Sequence, residues 1–182
     1  KKSDTSYTFT MPASAVTVKV AYVKDDAAVV EPTTGFNDVA DKDWFADAVK
    51  YVADKGLMSG TGSDKFAPSA TTTRAMLMTV LARYAGEDTT GGSVWYEKGM
   101  NWAKANGVSD GTNPQVNITR EQLAVMLYRA SGADAGSAEL SAFADSKAVS
   151  SWAAEAMSWA VGQGVITGKK GNLLDPGGTA SR

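Results

Sequence analysis

The sequence contains no cysteine and no histidine. Without cysteine there is no disulfide framework, thiolate metal site or cysteine nucleophile, and cysteine usage says nothing about the redox compartment. The absence of histidine removes the commonest metal ligand and the most frequent general base. Composition therefore argues against an enzyme, and we expect neither a metal nor a cofactor.

Long apolar runs and clusters of basic residues are also lacking. No stretch approaches the ~20 apolar residues of a membrane-spanning helix, and the N-terminal Lys1-Lys2-Ser3-Asp4 is not followed by the apolar core of a signal peptide. The net charge is −2 over 182 residues, without a basic patch that would suit a nucleic-acid backbone. A hydrophobic content of 43% still allows a packed core. We expect a folded protein that neither inserts into a membrane nor binds nucleic acid.

What the sequence does contain is one pattern written three times. A Trp is followed by a Gly twelve residues later, by a second Gly four residues after that, and then by a Thr-Arg or Ser-Arg pair. A repeated pattern of this size indicates tandem copies of one module. The copies are Trp44, Gly56, Gly60 and Thr73-Arg74; Trp95, Gly107, Gly111 and Thr119-Arg120; and Trp152, Gly164, Gly168 and Ser181-Arg182.

Each module is predicted to be a helix, a loop and a second helix. In the first module, a helical face formed by Trp44, Ala48, Tyr51 and Val52 is expected to end at Gly56. The aromatic residues seven positions after each Trp are expected in the core; they are Tyr51, Trp102 and Trp159. The second helix is predicted to start at Thr73, and its counterpart at Thr119 carries a capping box with Gln122.

The residues before the modules have a different pattern. Residues 6–22 alternate between apolar or aromatic and polar side chains, which predicts two short strands, a β-hairpin broken at Pro12-Ala13-Ser14. A segment rich in Asp, Glu, Pro, Thr and Gly follows and is expected to be a linker. The predicted organisation is strands at 1–24, a linker at 25–35, and modules at 36–88, 89–136 and 137–182.

The combined motifs resemble the S-layer homology (SLH) module. They are an opening Phe-x-Asp, a Trp-led helix, Gly-(Ile/Leu/Val)-x-x-Gly, an aromatic or Leu before x-Pro, and a closing Thr-Arg or Ser-Arg. The resemblance covers residues 36–182. The strands before it resemble the tail of a bacterial β-repeat module.

This resemblance implies a mainly α fold, in which three helix-loop-helix repeats form a pseudo-trimeric three-lobed helical bundle after a short N-terminal β-hairpin. It implies a secreted bacterial surface protein, usually Gram-positive, that binds cell-wall polysaccharide non-covalently, often a pyruvylated polymer, in grooves between repeats. The second repeat departs from the family pattern: it has Gly92-Ser93-Val94 where Phe-x-Asp is expected, and its loop is five residues shorter. We therefore do not expect three equivalent sites.

The resemblance makes Arg74, Arg120 and Arg182 the candidates for recognising an anionic sugar. An arginine at a helix N-terminus combines a planar donor fork with the helix dipole. The alternative is that each arginine pairs with an acidic residue of the neighbouring repeat and locks the repeats together.

Two further sets of candidate residues have alternatives that the sequence leaves open. Trp44, Trp95 and Trp152 either stack on the apolar face of a sugar or belong to the core. Asp38 and Asp145 either accept from sugar hydroxyls or cap a short first turn. The alternative function is a structural or assembly module that mediates protein contacts or S-layer lattice formation.

The third repeat stops at the point where its second helix would start. We read the chain as a fragment that begins at Lys1 and ends at Arg182. A lobe without its second helix is expected to expose an apolar face, either as an open patch or covered by another chain or fragment that completes the third repeat.

Overall fold

The computed structural model describes residues 35–62, 64–136 and 138–182. The predicted strands at 1–24 and nearly all of the predicted linker lie outside these residues. The described part is mainly helical, with isolated β-bridges as its only extended pairing. Its α-helices are α1 (Ala46–Asp54), α2 (Arg74–Tyr84), α3 (Glu97–Ala105), α4 (Arg120–Ser131) and α5 (Ala154–Gly162). Short 3₁₀ helices span Leu140–Ala142, Ser146–Ala148 and Ser151–Ala153.

The second helices of the first two modules start where the sequence predicts. The hydroxyl of Thr73 accepts from the Met76 amide at 3.2 Å and caps α2. At α4 the Thr119 hydroxyl accepts from the Gln122 amide at 3.3 Å, and the Gln122 side chain accepts from the Thr119 amide at 3.2 Å. This reciprocal pair is the predicted capping box, which satisfies amide groups that have no partner within the helix.

The three modules meet at a closed cycle of backbone hydrogen bonds. Its members are Thr72, Ile118 and Ala180, each placed one residue before a Thr-Arg or Ser-Arg pair. The amide of Thr72 donates to Ala180 at 2.9 Å, Ala180 donates to Ile118 at 3.0 Å, and Ile118 donates to Thr72 at 2.9 Å. All three residues are buried. Each of the three segments therefore donates one of these hydrogen bonds and accepts another.

Helices of neighbouring modules also pack against each other. The second helix of one module lies along the first helix of the next, so that α2 packs against α3 and α4 packs against α5. The contact between α2 and α3 is close at Gly99, where an added Cβ atom would lie 2.7 Å from the Cα atom of Thr79. A glycine is needed there because the two backbones leave no room for a side chain.

Helix α1 has no comparable helix packed along it in the described part of the chain. Its buried residues are Ala46 and Val49, whereas Trp44 is 92% exposed and Tyr51 is 52% exposed. The prediction that Tyr51 belongs to the core is therefore wrong. Its counterparts Trp102 and Trp159 are partly buried and pack against core clusters. The physical reason is that α2 and α4 cover the helices carrying those two tryptophans, while the same stripe on α1 is left open.

Candidate functional site

Arg74 reaches from the first module into the second. Its Nε atom donates to the Thr112 carbonyl at 2.9 Å, and Nη2 donates to Ser109 Oγ at 3.1 Å and to Asp110 Oδ1 at 2.8 Å. Only 13% of its side chain is exposed, whereas 64% of the Asp110 side chain is. This is an ion pair between neighbouring repeats, of the kind that the sequence left open as an alternative.

The other two arginines continue the same connection around the cycle. Arg120 of the second module donates from Nε to the Leu174 carbonyl of the third at 2.8 Å. Arg182 donates back to the first module, from Nε to the Phe66 carbonyl at 2.9 Å and from Nη2 to the Ser59 carbonyl at 2.8 Å. Its guanidinium carbon lies 4.9 Å from the centre of the Phe66 ring, a cation–π contact. Burial lowers the pKa of Arg182 below its usual range.

Two of these arginines line grooves to which all three modules contribute. The first, which we call the Trp152 groove, has a volume of about 400 Å³ and joins Arg74 to Trp152 across the loop and second helix of the second module. Trp152 is 56% exposed at its rim. The remaining lining residues are Val108, Ser109, Asp110, Gln122, Val125, Met126 and Arg129.

The second, the Trp95 groove, is the counterpart in the first module. It has a volume of about 280 Å³ and joins Arg182 to Trp95, which is 55% exposed. The remaining lining residues are Leu57, Met58, Ser59, Gly60, Thr61, Met76, Thr79, Val80 and Arg83. The two grooves therefore share a plan, with an arginine and a Trp from different modules facing each other across a third.

Trp44 lies on a different kind of surface. The Trp44 groove, of about 520 Å³, is lined along one side by the uncovered face of α1 and contains Ser181 and Arg182 at one end. Apolar side chains make up most of its remaining lining; they include Phe45, Val49, Val52, Met58 and Phe66. The prediction of an uncovered apolar face on the third module is therefore wrong, because α4 covers α5. The apolar groove lies against the first module instead.

Asp38 and Asp145 use both carboxylate oxygens to hold loops of their own modules. Asp38 accepts from the amides of Phe66 and Ala67, both at 2.8 Å, and Asp145 accepts from those of Leu174 and Asp175, both at 2.7 Å. The loop amides, above all that of Phe66, lower the pKa of Asp38. At Asp145 burial raises the pKa, but the two amides outweigh it and the pKa is lowered overall.

This bracing explains why two motifs occur together. The aspartate of the Phe-x-Asp opening accepts hydrogen bonds from the loop that carries Phe66 or Leu174. In a module without this loop, an aspartate at that position would lack its hydrogen-bond donors. The second module has neither, and its short loop is held instead by Asp110, which accepts from the amide and hydroxyl of Thr112 at 3.0 and 2.9 Å. The structure thus gives these aspartates a structural contact that differs from the predicted cap of a first turn.

Two groove arginines were missed by the sequence reasoning, although a signal was present. Arg83 and Arg129 each lie nine residues after the arginine of a Thr-Arg pair, on α2 and α4. Arg83 is fixed by hydrogen bonds to Thr89 Oγ1 at 2.8 Å and to the Leu57 carbonyl at 3.1 Å. The guanidinium of Arg129 has no hydrogen bond or ion pair to another described residue. Repetition at the same helical offset marked both residues as parts of one repeated surface.

Residues 35–62, 64–136 and 138–182 form neither a cluster of metal-ligating side chains nor a membrane-spanning helix. Nowhere in these ranges do three or more acidic side chains come together as metal ligands would. None of the helices formed by these residues has the length and apolar character needed to span a bilayer.

Comparison with known families matches two segments of the chain, residues 35–75 and 142–182, to the S-layer homology domain. These two segments are therefore similar to SLH sequence, and they coincide with the modules that have both the Phe-x-Asp opening and the long loop. SLH domains are non-catalytic modules that generally anchor proteins to the cell wall. They place this chain in association with the bacterial cell surface.

Similarity to individual proteins extends over most of the chain. The chain is 29% identical to an amylopullulanase of Thermoanaerobacterium thermosulfurigenes over 85% of the chain's own length. It is also 29% identical to the exoglucanase XynX of Acetivibrio thermocellus, over 86% of the chain. It is 27% identical to the surface-layer 125 kDa protein of Lysinibacillus sphaericus over 88%. The chain spans only 9%, 16% and 14% of these three relatives, respectively.

Proposed function

We propose that this chain anchors a bacterial surface protein to the cell wall from outside the cell, by binding secondary cell-wall polysaccharide non-covalently in the Trp95 and Trp152 grooves. The observation that carries the proposal is their shared construction. Each groove sets a half-exposed indole opposite an arginine that belongs to a different module. Because all three modules contribute to each groove, ligand binding depends on the assembled repeat rather than on one module.

The side chains suit an acidic polysaccharide. An indole offers a large apolar face with a polar edge, which suits the apolar face of a sugar ring. A guanidinium presents several fixed donors to a carboxylate. Arg74 and Arg182 each use Nε and Nη2 for contacts with the protein, which leaves Nη1 for a ligand. A pyruvylated polymer fits, since each pyruvyl group carries a carboxylate.

The remaining candidate residues are assigned different parts in the proposal. Arg120 connects the second and third modules, and Asp38 and Asp145 hold the loops that shape the grooves. We propose that residues 89–136, the second module, are also an SLH repeat, although a degenerate one. Ile118 of this module occupies the same place in the hydrogen-bonded cycle as Thr72 and Ala180. The three repeats would then form the three-lobed bundle that the resemblance implies.

The Trp44 groove favours a second function, in assembly. It is mainly apolar, and Trp44 at its edge is 92% exposed. The helix pairs α2–α3 and α4–α5 indicate what fits there: an amphipathic helix lying along α1, supplied by another chain or by a fragment that completes the third repeat. Trp44→Lys should abolish the added stability and the change in indole fluorescence produced by such a helix. A partner helix that binds the variant equally well would contradict this assignment.

The anchoring function is tested by co-sedimentation of the purified chain with cell-wall sacculi, before and after acid extraction of the polymer that is not peptidoglycan. Binding that disappears on extraction supports the proposal. A folded chain that binds neither preparation would refute it and would leave the assembly function as the better account.

A further inference from the structure

The Trp95 and Trp152 grooves are built alike, but they differ in whether an acidic side chain pairs with the arginine. In the Trp152 groove, Arg74 is paired with Asp110 at 2.8 Å. In the Trp95 groove, the corresponding Arg182 donates to the carbonyl oxygens of Phe66 and Ser59 and lies over the Phe66 ring, and its side chain forms no ion pair with another described residue. The described residues lining the Trp95 groove include two arginines and no acidic side chain. Those lining the Trp152 groove include two arginines and the carboxylate of Asp110.

The difference traces to one position in the repeat. Ser59 and Asp110 occupy the same place, three residues after the Gly that follows the first helix of each module. Both side chains lie at the exposed surface. A carboxylate at this position supplies the counter-charge for the arginine of the preceding module in the cycle, and a serine does not.

A partly buried cation without a counter-charge loses hydration that carbonyl dipoles and a ring face only partly replace, so its burial is unfavourable. Burial lowers the pKa of Arg182 accordingly. An anion entering the Trp95 groove would restore the missing counter-charge. An anion entering the Trp152 groove would have to compete with Asp110 and would be repelled by it.

The second arginine of each groove also favours the Trp95 groove as the stronger anion site. Arg83 of the Trp95 groove is held at 2.8 Å from Thr89 Oγ1 and 3.1 Å from the Leu57 carbonyl, so that its position is fixed before a ligand arrives. Arg129 of the Trp152 groove is exposed and has no comparable contact with other described residues. A fixed donor loses less conformational freedom on binding than a free one.

We propose that the Trp95 groove is the high-affinity site for an anionic sugar unit, and that Asp110 makes the Trp152 groove a weaker site for the same ligand by pairing with Arg74. This proposal rests on the proposed function and adds to it which groove is occupied and what ligand charge it selects. The anionic group is a carboxylate or a phosphate ester on the polymer.

Two reciprocal substitutions at the equivalent positions test the proposal. Ser59→Asp gives the Trp95 groove the counter-charge that it lacks, and Asp110→Ser removes the counter-charge from the Trp152 groove. Binding is measured by biolayer interferometry on immobilised wall polysaccharide released from sacculi. A short neutral tail after Arg182, present in every variant, keeps the terminal carboxylate away from the guanidinium. Far-UV circular dichroism and thermal unfolding establish that the variants fold.

We expect Ser59→Asp to weaken binding at least tenfold, and Asp110→Ser to leave it unchanged or strengthen it. Trp95→Ala and Trp152→Ala form a matched pair, since the two indoles are 55% and 56% exposed. Of these, Trp95→Ala should reduce binding strongly and Trp152→Ala only slightly. Carboxyl-reduced and dephosphorylated samples of the polymer identify the anionic group, because the sample lacking that group should lose binding.

The proposal is overturned if Ser59→Asp and Trp95→Ala bind like the unsubstituted chain while Trp152→Ala loses binding. It is also overturned if neither chemical treatment of the polymer weakens binding. The proposed function fails in a distinguishable way, because the unsubstituted chain would then bind no form of the polymer.

Discussion

Replacing Arg74 with Ala distinguishes a role in holding the modules together from a role in binding the ligand. Replacing it with Ala removes hydrogen bonds to the Thr112 carbonyl and the Ser109 hydroxyl, together with the ion pair to Asp110. A net hydrogen bond contributes about 1 kcal/mol. The ion pair contributes only about 0.5 kcal/mol, because most of the Asp110 side chain is solvated. The sum predicts a loss of about 2.5 kcal/mol in the free energy of unfolding.

For a domain of this size, 1 kcal/mol corresponds to about 2–4 °C in the melting temperature, so Arg74→Ala should melt about 5–10 °C lower. Urea unfolding followed by circular dichroism measures the free energy, and the polysaccharide assay measures binding on the same samples. Asp110→Asn is the matched control, since it removes the charge but keeps an acceptor, and it should cost about 0.5 kcal/mol. The double variant then gives the coupling energy between the two residues.

A change in the free energy of unfolding below about 0.5 kcal/mol, accompanied by loss of polysaccharide binding, would contradict the locking role of Arg74. Arg74 would then be a ligand-reading residue whose contacts with the second module contribute nothing. A loss of stability with binding retained would support the locking role and would agree with the assignment of the Trp95 groove as the main site.

Three further perturbations test the fold. Gly99→Ala should destabilise the protein by about 1–3 kcal/mol in urea unfolding, because its new Cβ would meet the Thr79 backbone between α2 and α3. Thr72→Val should stabilise it by about 1 kcal/mol, since the buried Thr72 hydroxyl has no hydrogen-bond partner among the described residues. The lowered pKa values of Asp38 and Asp145 contribute stability above the ordinary aspartate value of 3.8, and this stability is lost as pH falls through the lowered values. Melting temperatures measured from pH 5 to pH 2 should therefore fall less steeply in the doubly Asn-substituted protein.

Each of these three predictions has an outcome that contradicts it. A more stable Gly99→Ala protein would show that helix propensity outweighs the contact and that α2 and α3 lie farther apart. A less stable Thr72→Val protein would indicate that a partner or water satisfies the hydroxyl. Identical acid limbs for the native and doubly substituted proteins would mean that the two carboxylates do not couple to folding.

The helix starts were predictable because they depend on local chemistry. A Thr hydroxyl caps a helix through an amide three residues away, so Thr73 and Thr119 could be recognised from the sequence. The site was predictable only in outline. Repetition marked Arg74, Arg182, Trp95 and Trp152, but no local pattern showed that one groove combines residues from three modules. The partners of Arg182 lie more than a hundred positions away, at Phe66 and Ser59.

Local sequence is enough to define the repeated unit: the capped second helices, the Gly-containing turns, and the arginine of each Thr-Arg or Ser-Arg pair. These features rest on interactions within a few residues, so they recur wherever the pattern recurs. Equivalent positions of the repeat differ in exposure because of packing between segments that are far apart in the sequence. Tyr51 and Trp159 occupy the same place in their modules, yet Tyr51 is half exposed and Trp159 packs into a core. Among the described residues, α4 packs along α5, whereas no helix packs along α1. Such packing joins segments that are far apart in the sequence, so a repeated local pattern does not specify it.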